Sequence, residues 1–585
     1  MTVDIASLVS DDLDIWTTAV VRKSGAGRGG GRPINLYGID RLRALILDLA
    51  MRGRLAQQDA SDEHASKLLS RMEAERRKRV SAGEMKSPKV SPDLHVVPYE
   101  VPASWIWIPL GATGNIFTGN SINSQVRATL ESTSVGIPFI ATKDIGYGLD
   151  PIDYENGLLV PDNDRSFSIA RAGSVFVCAE GGSAGRKIAI SDRAICFGNK
   201  LIANETWSVI NPKFILYFYL SDFFFSQFSK EMTGIIGGIS RAKFLALAFP
   251  LPPYAEQQRI VAKVDELMAL CDALEVESAA AMAAHQALVE VLLATLTAST
   301  GAADLAANWF RLDAHFDTLL TTEASVDALK QVILDLAVRG TLVQQDPQEG
   351  HAFELLKQLK RSKQELVRAG QAKRDKLLPK VKLDDAPFPL PQNWTWGRFP
   401  ELGIFERGKS KHRPRNDPKL FQPGIYPLVQ TGEVARADGV IEEFHSQYSD
   451  VGLAQSKMWP KGTLCITIAA NIADVATLGF EACFPDSVVG FIPCKPMESP
   501  QYILYFMKTA KADLLKFAPS TAQKNINLGI LETVLIPLPP LEEMGRIVAK
   551  VDELMALCDA LKARIIDAGA IQKHLADAIT ERVAA

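Results

Sequence analysis

The sequence predicts an α+β protein: two mixed α/β domains joined by long antiparallel coiled-coil helices, with an internal pseudo-twofold duplication. Three observations predict it. Arg259–Leu274 returns residue for residue as Arg546–Leu561, sixteen consecutive identities at an offset of 287. Ile46–Asp59 returns at the same offset as Ile333–Asp346. Between these anchors, the regions 110–210 and 400–500 share little beyond scattered apolar positions. The period is far longer than the roughly 20 to 50 residues of solenoid repeats, so a multi-part module has been duplicated. Two nearly identical surfaces can bind two copies of one partner, whereas two divergent surfaces suit two different targets.

Size and composition agree. A chain of 585 residues is too long for one core, and 23% charged with 47% hydrophobic residues is an ordinary globular balance. No run reaches about 18 uninterrupted apolar residues. The nearest, Phe214–Phe225, is flanked by Lys213 and broken by Asp222, and reads as a buried aromatic helix. The N-terminus carries Asp4, Asp11 and Asp12 and shows no signal-peptide pattern. Seven cysteines without a Cys-x-x-Cys pair fit a reduced, cytoplasmic protein and offer no zinc site. A net charge of −4 leaves phosphate binding dependent on local clusters of Lys and Arg.

Each half has the same plan. Leu42, Leu45, Ile46 and Leu49 have helical spacing, and Arg52-Gly53 is a plausible stop. A charged helix follows over 66–80, with Arg71, Arg76, Arg77, Lys78 and Arg79; its counterpart is 352–367. Such runs are more often solvated helix faces than DNA contacts. Proline-rich breaks at 98–102 and 387–391 introduce Trp105-x-Trp107 and Trp394-x-Trp396. Strands are predicted over 135–140, 173–178, 187–190, 426–429, 462–466 and 488–492, closed by aromatic helices over 212–230 and 499–517. After Pro250-Leu-Pro-Pro253 and Pro537-Leu-Pro-Pro540 come long helices, about 255–297 and 541–583. Ile260, Val264, Leu267, Cys271 and Leu274 step by 4, 3, 4, 3, the seam of a coiled coil. At about 1.5 Å per residue a 40-residue helix spans roughly 60 Å, long enough to be a rigid spacer. The predicted divisions are 1–97 (helical), 98–253 (first variable domain), 254–386 (coiled-coil helix plus helical hairpin), 387–540 (second variable domain) and 541–585 (C-terminal helix).

The passage Pro250–Leu267, Pro-Leu-Pro-Pro-x-x-Glu-Gln-x-Arg-Ile-Val-x-Lys-Val-Asp-Glu-Leu, resembles the conserved region of type I restriction–modification specificity subunits. The second copy departs from it with Met544-Gly545 in place of Gln257-Gln258. Ile46-Leu-Asp-Leu-Ala-x-Arg-Gly-x-Leu55 is similar to the extra N-terminal conserved region of one subfamily. The resemblance implies that each variable domain is a target-recognition domain reading half of a split site in double-stranded DNA. It also implies that the conserved helices dock two modification (methyltransferase) subunits, and through them two ATP-dependent restriction subunits. The conserved charged positions Arg259, Lys263, Asp265, Glu266, Arg546, Lys550, Asp552 and Glu553 are the docking candidates. S-adenosylmethionine, ATP and Mg would belong to the partners, with no cofactor, metal or membrane for this chain.

Reading bases takes Asn, Gln, Arg, Lys or acidic side chains, while Lys, Arg and backbone N–H groups hold phosphates. The first-domain candidates are Thr118, Asn120, Lys143, Asp144, Ser183, Arg186, Lys187, Arg241 and Lys243. The second-domain candidates are Lys409, Lys411, Arg413, Arg415, Gln430, Thr431, Asn471, Gln523, Lys524 and Asn525. Any one of them could equally be an ordinary surface residue.

No catalytic constellation emerges. Gly25–Gly30 satisfies G-x-G-x-x-G but follows no strand, and reads as a linker. Gly181–Lys187 has glycines and basic residues at the wrong spacing for a phosphate loop. Leu251-Pro-Pro-Tyr254 has an apolar Leu where an amino-methyltransferase needs a polar side chain. The competing readings, a free-standing modification enzyme or a scaffold that no longer reads DNA, lack support in any motif.

Overall fold

The computed structural model describes residues 5–22, 34–85, 97–234, 237–299, 302–374, 386–516 and 526–584. The chain divides into two compact units, 1–281 with 568–585, and 282–567.

After two short helices (Ile5–Asp11 and Leu13–Thr18) and a two-stranded ribbon (Val21–Arg22 with Ile34–Asn35), the first unit has helices α1 (Tyr37–Met51) and α2 (Ser66–Ser81). α1 buries Leu42, Leu45, Ile46 and Leu49, the stripe its spacing predicts. It ends at Gly53, whose φ is +68°; a Cβ there would stand 2.5 Å from Pro102 Cγ and 3.0 Å from the Trp105 ring. Left-handed backbone and close packing both demand glycine.

The variable domain follows. Its strands are β1 (Ile106–Pro109), β2 (Gly114–Thr118), β3 (Ile137–Ile140), β4 (Leu159–Val160), β5 (Ile169–Ala170), β6 (Val175–Cys178), β7 (Ile188–Ile190), β8 (Ile195–Phe197) and β9 (Leu201–Thr206). Helices α3 (Pro212–Leu220) and α4 (Asp222–Glu231), strand β10 (Ala248–Leu251) and the long helix α5 (Tyr254–Thr297) complete the run. Two four-stranded sheets form, ordered β2-β9-β6-β7 and β4-β3-β8-β5, the β3–β8 pair being parallel. β1 pairs with β10, placing Trp107 opposite Pro250. The Trp-x-Trp and Pro-Leu-Pro-Pro motifs are thus strand partners that close the domain at its root. A two-stranded ribbon tolerates the prolines because its outer edges need no N–H donor.

Strands β1, β2, β4, β5, β8, β9 and β10 and the helices Ser124–Ser132 and Arg241–Leu245 go beyond the predicted elements, and two differences have a clear physical reason. The single aromatic helix predicted over 212–230 is two helices, because the Ser221 hydroxyl caps the second by accepting from the Phe224 N–H at 3.2 Å. Strand β9 was hidden by its polar residues. Asn204 and Glu205 are buried, Asn204 Nδ2 donating to Thr113 Oγ1 (3.0 Å) and Tyr219 Oη (3.2 Å). Buried polar groups with partners of this kind fit a central strand.

The second unit repeats the plan. It contains α6 (Glu323–Arg339), α7 (Ala352–Arg368), β11 (Thr395–Gly397), β12 (Gly403–Arg407), β13 (Tyr426–Leu428), β14 (Val440–Ile441), β15 (Ser446–Tyr448) and β16 (Met458–Trp459). Then come β17 (Leu464–Thr467), β18 (Val475–Leu478), β19 (Ala482–Cys483), β20 (Val488–Pro493), α8 (Gln501–Lys516), β21 (Ile536–Leu538) and α9 (Leu541–Ala584). A helix over Ala302–Asp313 precedes α6 and was not anticipated. α6 ends at Gly340, φ +72°, where a Cβ would meet Pro391 Cγ at 2.7 Å and the Trp394 ring at 2.8 Å. The sheets run β12-β20-β17-β18-β14 and β15-β13-β19-β16, β13–β19 being parallel, and Trp396 lies opposite Pro537. Over the eight strands they share, the two variable domains therefore keep one strand order and one set of pairing senses despite little shared sequence; the second adds β14, parallel to β18, at the edge of its first sheet.

The seam of each long helix is covered, over its first half, within its own unit. Ile260, Val264, Leu267 and Cys271 are buried, and α1 reaches across with Arg43 to Asp272 (2.7 Å) and Glu275 (2.6 Å). Ile547, Val551 and Cys558 join a core with Leu329, Ile333 and Tyr502. The last turns of α5 bury Val289, Leu293 and Leu296 in that second core. The end of α9 belongs to the first unit, where Asp577 accepts from Tyr37 Oη at 2.7 Å and pairs with Arg41 Nε at 2.9 Å. By length and composition alone α5 could cross a membrane; its seam and last turns are buried in these cores, while Val276, Leu288 and Val291 are exposed.

Candidate nucleic-acid interface

Strand register gathers the first-domain candidates. Thr118 lies opposite Ile202, Leu201 opposite Cys178, Val177 opposite Ile188, and in the second sheet Ile140 pairs with Phe197. One end of the two sheets therefore carries the loops 119–123, 141–147, 179–187 and 198–200. Further backbone bonds, Ile239 N–H to Ala179 O (3.1 Å) and Gly181 N–H to Gly237 O (2.8 Å), bring in the segment before the short helix Arg241–Leu245. The first-domain candidates other than Arg241 and Lys243 thus share one end of the domain; those two lie on the helix that leads from it towards Gly111.

Their side chains do different work there. Asn120 is committed to the fold: Nδ2 donates to Ser166 O (2.9 Å) and Oδ1 accepts from Ser168 N (2.7 Å). Asp144 is buried, accepting from Ala141 N (2.8 Å) and Asn156 Nδ2 (2.7 Å), while Lys143 beside it is exposed. Lys187 donates to Thr142 O at 3.0 Å and lies 5.3 Å from the Tyr147 ring centre; Arg186 is exposed, 5.0 Å from that of Phe225. Arg241 donates to Ile116 O (2.7 Å), and Lys243 pairs with Glu231 (3.0 Å). Thr118 is exposed, and Ser183 is half-buried within the 179–187 loop. Sequence reasoning missed Tyr147, Asn199 and Lys200, all exposed in the same loops. Burial pushes the Cys178 thiol up, while hydrogen bonds with Glu180 and Thr142 and, less, the charges of Lys187 and Lys200 pull it back. No spacing signal in the sequence could have joined 143, 187 and 200.

The second domain uses the same end. Arg407 lies opposite Val489, Ile466 opposite Val475 and Leu428 opposite Cys483, so the loops 408–417, 429–431, 468–474 and 484–487 meet there. In the basic run, Arg415 pairs with Asp486 (2.9 Å) and Arg413 donates to Ser410 O and His412 O (2.8 Å each). Lys411 is exposed and Lys409 half-buried. Gln430 donates to Ser446 Oγ (3.3 Å), and Asn471 Nδ2 stands 3.5 Å from the carbonyl oxygen of Thr431. Gln523, Lys524 and Asn525 lie outside the described residues. Lys457, not anticipated, pairs with Glu406 at 2.9 Å and lies 3.9 Å from the Trp459 ring centre. Burial would raise the Glu406 carboxyl, but Lys457, Lys373 and Lys409 together hold it below its usual range.

The opposite end of each domain faces the helical scaffold. Arg79 of α2 is buried and pairs with Glu205 on β9 at 2.7 Å and with Glu84 at 3.3 Å, which also holds Arg171 (2.7 Å). In the second unit Lys363 donates to Pro400 O (2.5 Å) and Lys360 pairs with Glu401 (2.7 Å). Part of each charged helix thus clamps its domain, far along the strands from the gathered loops.

The docking candidates divide in two. Arg259 pairs with Asp62 (2.5 Å) and Arg546 with Glu349; Asp265 accepts from Tyr217 Oη and Lys213 (2.8 Å), and Asp552 from Tyr505 Oη. These identical residues make equivalent internal contacts. Lys263–Glu266 (2.7 Å) and Lys550–Glu553 (2.9 Å) instead form pairs along the outer helix faces. Where the second copy departs, buried Gln257 bonds Asn211 N (2.8 Å) and Pro252 O (3.1 Å), while Met544 fills the same place in an apolar core.

Residues 105–281 and 391–568 match the family described as type I restriction modification DNA specificity domain. The chain is similar to the type I restriction enzyme EcoEI specificity subunit of Escherichia coli, 34% identical over 613 aligned residues covering 99% of each. It is likewise similar to the EcoAI specificity subunit of the same organism, 33% identical over 603 residues and again covering 99% of each. Among solved structures, a chain from work on complex assembly and conformational transition of the type I R-M system shares the fold. Its TM-score is 0.51 at 19% identity, over 83% of this chain and 99% of that one. With both domains matched and the likeness running end to end, this chain belongs to the type I restriction–modification specificity subunits, with two target-recognition domains.

Proposed function

We propose that the chain is the non-catalytic reader of a bipartite DNA site, each target-recognition domain contacting one half through the loops gathered at one end of its sheets. One observation carries this reading: the same end of the same topology presents unlike polar side chains in the two halves. A shared scaffold with different tips is what two different half-sites require. Exposed cations on those tips (Lys143, Arg186, Lys411 and Arg413) suit phosphates, and exposed amides suit base edges.

In this reading the long helices dock two modification subunits, and through them two restriction subunits. Leu270 and Leu557 occupy equivalent positions and are 38% and 61% exposed; Leu288 and Leu575, equivalent again, are 52% and 45% exposed. Leu270 and Leu557, exposed one turn beyond the Lys263–Glu266 and Lys550–Glu553 pairs, support two docking faces for one kind of partner. S-adenosylmethionine, ATP and Mg enter with those partners. Methylome sequencing of cells with and without this gene tests the reading. A split methylated motif that disappears with the gene is expected; an unchanged methylome contradicts it.

A further inference from the structure

The loop joining β6 to β7 and the loop joining β17 to β18 are one device in two versions. Ala179 N–H donates to Lys200 O (2.8 Å), and Ala179 O accepts from Ile239 N–H (3.1 Å). Ile468 N–H donates to Ser487 O (3.0 Å), and Ile468 O accepts from Ile526 N–H (3.0 Å). The closing bonds also match: Gly185 N–H to Cys178 O and Ala473 N–H to Thr467 O, both 2.9 Å. Each loop has two residues in the left-handed region, Gly181 (φ +89°) and Gly185 (φ +71°) in the first, Ala470 (φ +62°) and Ala473 (φ +60°) in the second. Glycine adopts that conformation freely; alanine seldom does. The second domain therefore keeps a backbone shape that its own residues disfavour. Held strain of this kind needs surroundings that over-determine it, and it collects at functional sites. Thr467 supplies part of the hold, its hydroxyl donating to Asn471 O and accepting from Asp474 N–H at 3.0 Å.

Between the two strained alanines the chain presents Asn471, exposed, at the end of the sheets where Gln430 and Thr431 also sit. Counted from the first left-handed residue, the first domain has Gly182 there, with no side chain, in a loop two residues longer. Anchoring bonds shared, side chain variable, amide exposed: we infer that Asn471 is a specificity-determining residue that reads one base pair of the second half-site. The chemistry favours adenine, whose N6 amino group and N7 match the oxygen and the NH₂ of an asparagine amide. The inference rests on the DNA-reading role proposed above.

The test uses the full chain assembled with its modification subunits, with the methylated motif read by sequencing. Asn471→Ala should relax the second half of the motif at one position, with the first half unchanged; discrimination there should fall roughly tenfold or more. Ala470→Gly and Ala473→Gly, which suit the backbone, should leave the motif unchanged and show that the loop tolerates replacement. A motif unaltered by Asn471→Ala overturns the inference, and so does a uniform fall in methylation with every letter retained, the mark of a phosphate contact or a purely structural role. A parent complex that methylates no split motif would overturn the DNA-reading role itself, and that outcome is visible in the parent arm alone.

Discussion

The indole N–H of Trp105 donates to Glu256 Oε2 at 2.9 Å, tying the root of the first variable domain to the first turn of the long helix. Burial raises the Glu256 carboxyl above its ordinary 4.5, while Trp105 and Gln58 pull it back. A raised carboxyl binds its proton more tightly when folded, so its contribution to stability falls as pH rises from about 4.5 through the folded value. Glu256→Gln keeps an acceptor for Trp105 and removes the titration. Melting curves across about pH 4 to 7 should show the variant gaining on the parent as pH rises; the opposite trend would contradict the buried, raised carboxyl.

Gly53→Ala and Gly340→Ala should each destabilise by more than about 1 kcal/mol, since each meets both a positive φ and the Pro–Trp wall. Gly83, φ +73° with nothing within 4 Å, isolates the backbone part. Thermal melts should rank Gly83→Ala as the mildest of the three.

Arg79 and Glu205 have side chains only 9% and 7% exposed. Arg79→Met should cost about 3–5 kcal/mol by stranding a buried carboxylate, and adding Glu205→Leu should recover much of that loss. Chemical denaturation of the three variants measures the coupling.

Lys411 and Arg413 are exposed cations at the reading end of the second domain. If they neutralise phosphates, each alanine variant should lower the slope of log affinity against log salt by about 0.9, weakening all sequences alike. Binding isotherms at several salt concentrations decide this.

Much of this architecture was legible because duplication annotates itself: Arg259–Leu274 and its copy mark the same helix twice. The strand β9 was not legible, since Asn204 and Glu205 look like turn residues until Thr113, Tyr219 and Arg79 are found beside them. At the site, the sequence supplied polar residues but not their roles. Asn120 and Asp144 carry the chemistry of base contacts, yet their hydrogen bonds hold loops together. Lys200 gives no signal in the sequence, because only the pairing of Leu201 with Cys178 brings its backbone against the 179–187 loop.

Two independent readers on one scaffold should be exchangeable one at a time. Replacing residues 98–250 by the matching region of a relative with a different site, then sequencing the methylome, tests it most directly. One half of the split motif should change, while the other half and the gap stay fixed. A change in both halves would contradict the modular reading.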